Sequence, residues 1–199
     1  MESQESFAIP SQSVVHLQLN ASRVTFFVLL TAVALALPAR AQTWTTLPGS
    51  ATAIAANAKG DVWAIGTEPS PGGYKIWRWN HGAWQNIAGG AVRIAVDPDG
   101  TAWVVTNTGA IFHSNESGQW MSVPGTATDI AVGAKGDLWA LGTARVGNDY
   151  GVWHAVVAPG TRNVSSWQPV SGAAARIAVD AEGNPWVVTR TGVIYHLQG

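Results

Sequence analysis

The sequence predicts an all-β fold, a β-propeller of four four-stranded blades, and three observations carry that expectation. A unit of roughly forty residues recurs four times, the length of one propeller blade. Each copy parses into short runs rich in Val, Ile, Thr and Trp, residues that suit a pleated, half-buried surface. Glycine-bearing turns separate the runs at matching places, and no stretch after residue 41 keeps a helical period.

The first forty residues stand apart from that pattern. Val24 to Leu37 form an uncharged apolar run, shorter than the roughly twenty residues that a bilayer span needs. Arg23 precedes it, and Ala39-Arg40-Ala41 follows as a small-x-small cleavage site. Residues 1–41 therefore read as a secretory signal peptide cut near Ala41. The folded domain is expected over 42–199, secreted or periplasmic, with no membrane span in the mature chain.

Within that domain the copies begin at Trp44, Trp84, Trp120 and Trp167. Each continues through a glycine (Gly49, Gly89, Gly125, Gly172), an isoleucine (Ile54, Ile94, Ile130, Ile177) and a turn glycine (Gly60, Gly100, Gly136, Gly183). A second tryptophan follows (Trp63, Trp103, Trp139, Trp186), then an aliphatic–aromatic pair such as Ile76-Trp77 or Ile194-Tyr195. The copies also alternate. Repeats one and three share an AKGD turn, at 58–61 and 134–137, whereas repeats two and four share RIAVD, at 93–97 and 176–180. An ancestral duplication of a pair accounts for this. Length varies in the loops Glu68–Lys75, Ala144–Gly151 and Ala158–Ser166.

If the Ile-bearing run is innermost, the leading-Trp run is outermost. The N-terminal strand at Trp44 is then expected to complete the last blade beside a third strand at Ile194–Leu197. Such closure would hide two edges that otherwise invite aggregation. With four copies, an open arc or a homodimer completing a larger ring is the alternative.

The pattern W-x-x-(V/I/L)-x-G, then I-A-V-x-x-x-G-x-x-W, resembles the tectonin repeat, most clearly from Trp120 through Gly125, Ile130 and Gly136 to Trp139. The resemblance covers Trp44 to Gly199. It implies a β-propeller and a lectin-like role, since several tectonin proteins recognise lipopolysaccharide or modified surface sugars. Family members usually carry six or seven blades, where this chain has four copies.

Composition narrows the function. Net charge is −1 and only 12% of residues are charged, so no basic surface exists to hold a phosphate backbone, and nucleic acid is not expected as a partner. The absence of cysteine excludes disulfides and thiolate metal sites, which leaves the eleven tryptophans to build the core.

Eight of those tryptophans fall in the two repeat columns, which points to packing. Trp77, Trp79 and Trp153 fall outside them and are the candidate sugar-stacking residues; Trp77 and Trp79 share a strand face. Arg93 and Arg176 precede the second strand in the even repeats only. They are candidates for gripping an anionic sugar, against a structural pairing with Asp129 at the same place in repeat three.

The column Arg78, His113, His154, His196 looks metal-like but is spread over four repeats, so no metal site is expected. Asp97-Pro-Asp99-Gly100 and Asp180-Ala-Glu182-Gly183 read as tight turns rather than calcium loops. Asn115 and Asn163 open glycosylation sequons. No G-x-S-x-G, H-E-x-x-H or glycine-rich phosphate loop occurs, so neither catalysis nor a cofactor is expected. The reading is a non-catalytic binding module for a glycan or lipopolysaccharide, with a protein-interaction scaffold as the alternative.

Overall fold

The computed structural model describes residues 42–115, 117–158 and 161–198; the expected signal peptide, residues 1–41, lies outside them. Thr46–Gly199 forms one compact unit. Its described residues hold β-strands and no helix, and every strand pair is antiparallel.

A four-stranded sheet contains β1 (Ala51–Ala56), β2 (Val62–Ser70), β3 (Gly73–Asn80) and β4 (Ala83–Ala91), in that order. A seven-stranded sheet contains β5 (Arg93–Val96), β6 (Ala102–Val105), β7 (Ala110–Ser114), β8 (Trp120–Val132), β9 (Leu138–Val146), β10 (Asp149–Val157) and β11 (Val164–Ala174). A three-stranded sheet contains β12 (Arg176–Val179), β13 (Pro185–Val188) and β14 (Ile194–His196).

The repeat frame explains these boundaries. Each repeat supplies three strands, and the leading-Trp strand of the next repeat supplies the fourth: Trp84 in β4, Trp120 in β8 and Trp167 in β11. The first half of β8 pairs with β7 and its second half with β9, so repeats two and three merge into one sheet.

Strand alternation gives each repeat two faces. In repeat one the row Ala55–Trp63–Arg78–Gln85 looks toward repeat two, and the row Ile54–Ala64–Trp77–Asn86 looks the other way. The apolar cores lie where facing rows meet. Trp63, Ile65 and Ile76 pack with Val96 and Val104 between repeats one and two. Trp103 and Ile111 pack with Ile130 and Leu138 between repeats two and three. Trp139 and Leu141 pack with Ile177 and Val187 between repeats three and four. A buried Trp side chain removes 150–250 Å² of ring from water, which is how a domain without disulfides sustains three separate cores.

The expected completion of the last sheet by the Trp44 strand is corrected here. Residues 42–50 contain no strand, Trp44 is fully exposed, and the third sheet has three strands. The edge on offer is short: β14 has 3 residues, against 8 in β3, 5 in β7 and 9 in β10. Few ladder bonds would form there, and Ile54 and Trp186, whose rows would pack beneath such a join, remain exposed in the single chain.

Candidate ligand groove

Register brings two columns of the repeat into contact. The second-strand tryptophan of each repeat lies opposite the basic residue that follows the aromatic: Trp63 and Arg78, Trp103 and His113, Trp139 and His154, Trp186 and His196. The Arg78 guanidinium carbon sits 5.3 Å from the Trp63 ring centroid. His154 stacks on Trp139 at 4.2 Å and His196 on Trp186 at 3.8 Å, while His113 is tilted against Trp103 at 4.9 Å. Both columns are visible in the sequence, whereas their pairing appears only once the strands are placed in register.

In repeat one this pair opens a groove of about 630 Å³ toward repeat two. Its walls include Trp63, Arg78, Gln85, Asp99, Ser114 and Arg162. Arg78 is positioned by the ladder between Trp63 and Gln85, and its Nη2 donates to Asp61 Oδ1 at 3.2 Å. Asn57 in turn donates to Asp61 Oδ2 at 2.9 Å. Arg162 arrives from the extended loop of repeat three. It donates from Nε to Asp97 Oδ2 at 3.1 Å and from Nη2 to Asp99 Oδ2 at 3.2 Å. Asp97 is fixed by accepting the backbone N–H groups of Asp99 and Thr101. The groove therefore presents guanidinium and amide donors and a carboxylate acceptor over the buried Trp63. The neighbouring inter-repeat grooves are lined mainly by apolar side chains, glycines and threonines, around Trp153 and Trp167 in one and Phe112 and Trp120 in another.

The expected sugar-stacking residues are not gathered into one place. Trp77 and Trp153 are half-buried, each with its indole nitrogen edge against a glycine, Gly66 and Gly142. A Cβ at Gly66 would meet Trp77 Nε1 at 2.8 Å, and one at Gly142 would meet Trp153 Nε1 at 2.7 Å. The even repeats carry Thr106 and Thr189 there, with the smaller Phe112 and Tyr195 as the aromatic. Trp79 is half-buried on the face of β3 opposite Arg78 and meets Trp84 edge-on at 5.0 Å.

Arg93 and Arg176 both turn back on the chain, donating from Nη1 to the carbonyls of Val92 and Ala175 at 2.7 Å. Both flank Asp129. Arg93 Nε lies 3.5 Å from Asp129 Oδ1, and Ile177 N–H donates to Asp129 Oδ2 at 3.4 Å. Burial pushes the Asp129 carboxyl above its usual range, against the opposing pull of Arg93, the Ile130 N–H and Arg176. Among the described residues, no group of three His, Asp or Glu side chains converges as metal ligands do.

No curated protein matches the chain. Solved structures similar to it include a YCF48 bound to a D1 peptide, at 22% identity and a TM-score of 0.48, covering 78% of this chain and 55% of that one. A gluconolactonase from Xanthomonas campestris matches at 16% identity and a TM-score of 0.49, covering 76% and 61%. A luciferin-regenerating enzyme matches at 12% identity and 0.45, covering 77% and 63%. The chain thus spans between 55% and 63% of the length of these proteins. A family model, the tectonin domain, matches residues 19–199. With nearly the whole chain matched, and with the repeating antiparallel sheets described above, this protein belongs to the tectonin domain family.

Proposed function

We propose that this chain is a secreted or periplasmic, non-catalytic carbohydrate-binding module, released by cleavage near Ala41, whose four repeats act as four propeller blades. The observation that carries the reading is the polar groove between repeats one and two, where Arg78, Gln85, Asp99 and Arg162 converge over the buried Trp63. Sugar hydroxyls need donors and acceptors close together, which this groove supplies. A bacterial surface glycan or lipopolysaccharide fits this chemistry, with the arginines facing its anionic groups.

The test is binding to a glycan array and to lipopolysaccharide, compared with Gln85→Ala, an exposed substitution in the groove wall. Loss of one hydrogen-bonding side chain is expected to weaken binding by about tenfold. Correctly folded protein that binds neither probe, or that hydrolyses a glycan it binds, would overturn the proposal.

A further inference from the structure

Each leading tryptophan that joins a sheet has a fixed seat. Trp120 Nε1 donates to the Ala88 carbonyl at 2.6 Å, and a Cβ on Gly89 would lie 3.0 Å from that nitrogen. Trp167 Nε1 donates to the Pro124 carbonyl at 2.7 Å, and a Cβ on Gly125 would lie 3.1 Å from it. Trp84 rests against Gly49 in the same way, more loosely. The seat is a glycine with positive φ and the carbonyl just before it. The fourth seat, Gly172 with the Ser171 carbonyl, has the same backbone hand, φ +129, and nothing within 4 Å of its Cβ position. A groove of about 400 Å³ opens there, lined by Val170, Gly172, Val187, Tyr195 and Leu197, against about 250 and 310 Å³ where Trp167 and Trp120 are seated. Beside it, Ile194 and Tyr195 of the edge strand β14 are exposed.

The two ends of the repeat series are complementary in the same terms. Between successive repeats a forward row carrying the second-strand tryptophan packs against a backward row carrying the inner isoleucine. Trp63 meets the row of Ile94 and Val104, and Trp139 meets the row of Ile177 and Val187. At one end the backward row of repeat one leaves Ile54 67% exposed; at the other the forward row of repeat four leaves Trp186 44% exposed. The innermost strands pack in the order β1, β5, β8, β12, and no comparable packing returns from β12 to β1.

We propose that a second copy of this chain occupies the vacant seat. Its Thr43–Leu47 segment pairs with the edge of β14, its Trp44 indole rests on Gly172 and donates to the Ser171 carbonyl, and its Ile54 row covers Trp186. Each copy has one vacant seat and one free Trp44, so two copies satisfy each other through two equal contacts in a closed dimer. The occupant follows from continuity: the partner supplies the same side chain, on the same strand, that fills the equivalent seat at every other junction.

Sedimentation velocity of the full chain tests this, with Trp44→Ala removing the occupant and Ile194→Lys charging the edge. Both positions are exposed in the single chain, so the fold should survive either change. The expected result is a dimer for the unaltered protein, with each variant dissociating at a concentration at least about 30-fold higher, as for loss of an interface hot spot. Mixing the two variants should restore one of the two contacts and recover dimer. A monomer at about 100 µM, or a dimer that both variants leave unchanged, would overturn the proposal. So would a monomer whose Trp44 is shielded from quenchers, because its own chain would then fill the seat.

Discussion

Odd and even repeats share a strand plan and differ in how they join. Where an odd repeat passes to an even one, the strand breaks: β4 stops at Ala91 and β5 starts at Arg93, and β11 stops at Ala174 and β12 starts at Arg176. At each break the orphan N–H, of Val92 or Ala175, bonds across to Val105 or Val188 at 2.8 Å, and the following arginine caps the carbonyl. Where an even repeat passes to an odd one, β8 runs through without a break. A bulge at Thr128 takes up the change of direction, and its hydroxyl bonds the Leu141 and Gly142 carbonyls. Thr52 repeats that arrangement in repeat one.

The turns differ with the joins. Trp63 and Trp139 donate forward to the turn carbonyls of Gly100 and Gly183, whereas Trp103 and Trp186 donate to their own Asp97 and Asp180. The alternation in sequence is thus a pair of complementary parts, and the pair is the structural unit.

The largest effect should come from breaking the contact within a pair. Gly100 has φ +89, and a Cβ there would lie 2.6 Å from Asp61 Oδ2; Gly183 faces Asp137 in the same way. Gly60 and Gly136 have similar φ values and open space. Gly100→Ala and Gly183→Ala are expected to cost about 2–3 kcal/mol, and Gly60→Ala and Gly136→Ala about 1 kcal/mol. Urea unfolding followed by tryptophan fluorescence measures both sets. Equal losses would mean that the AKGD aspartates do not set the even turns.

The join between pairs is held partly by Arg162, which reaches across from repeat three to Asp97 and Asp99 of repeat two. Its side chain is one-third exposed and Asp99 is largely so, so screening discounts the ion pairs. Arg162→Ala should lower stability by about 0.5–1 kcal/mol, with the loss shrinking in molar salt. An effect as large as that of Gly100→Ala would put the principal clasp between pairs rather than within them.

These contacts also mark where sequence reading stops. Turn glycines, the inner isoleucines and both tryptophan columns recur at fixed offsets, so strand positions and the repeat frame follow from local chemistry. The third strand expected at Ile194–Leu197 is observed as Ile194–His196. Arg162 sits in a loop with no counterpart, and its acid partners are 63 and 65 positions away, so no periodicity points to it. Gln85 enters the groove only because register sets it beside Arg78. The alternating Arg93, Asp129 and Arg176 are compatible in sequence with either pairing or ligand contact; the strand breaks are what turn both guanidinium groups back onto the chain beside Asp129.

The smallest effect is electrostatic, and it has opposite signs at two aspartates. Desolvation pushes the Asp180 carboxyl up. Hydrogen bonds from the Asn184 N–H, the Trp186 indole, His196 and the Glu182 N–H outweigh it and hold the pKa at about 2, below the usual 3.8. A depressed folded value means that the stabilisation is present above 3.8 and is lost as pH falls toward 2. Asp129 is raised by burial, so its charge opposes folding near neutrality, and protonation relieves that cost as pH falls through its folded value toward 3.8. Unfolding midpoints measured between about pH 7 and pH 2 should therefore separate the variants. Asp180→Asn should flatten the acid limb between about pH 4 and pH 2, and Asp129→Asn should leave that limb in place and alter stability only above it. If both substitutions flattened the same limb, the turn aspartate and the inner-strand aspartate would share one environment, and the division between even turns and odd inner strands would fail at its electrostatic level.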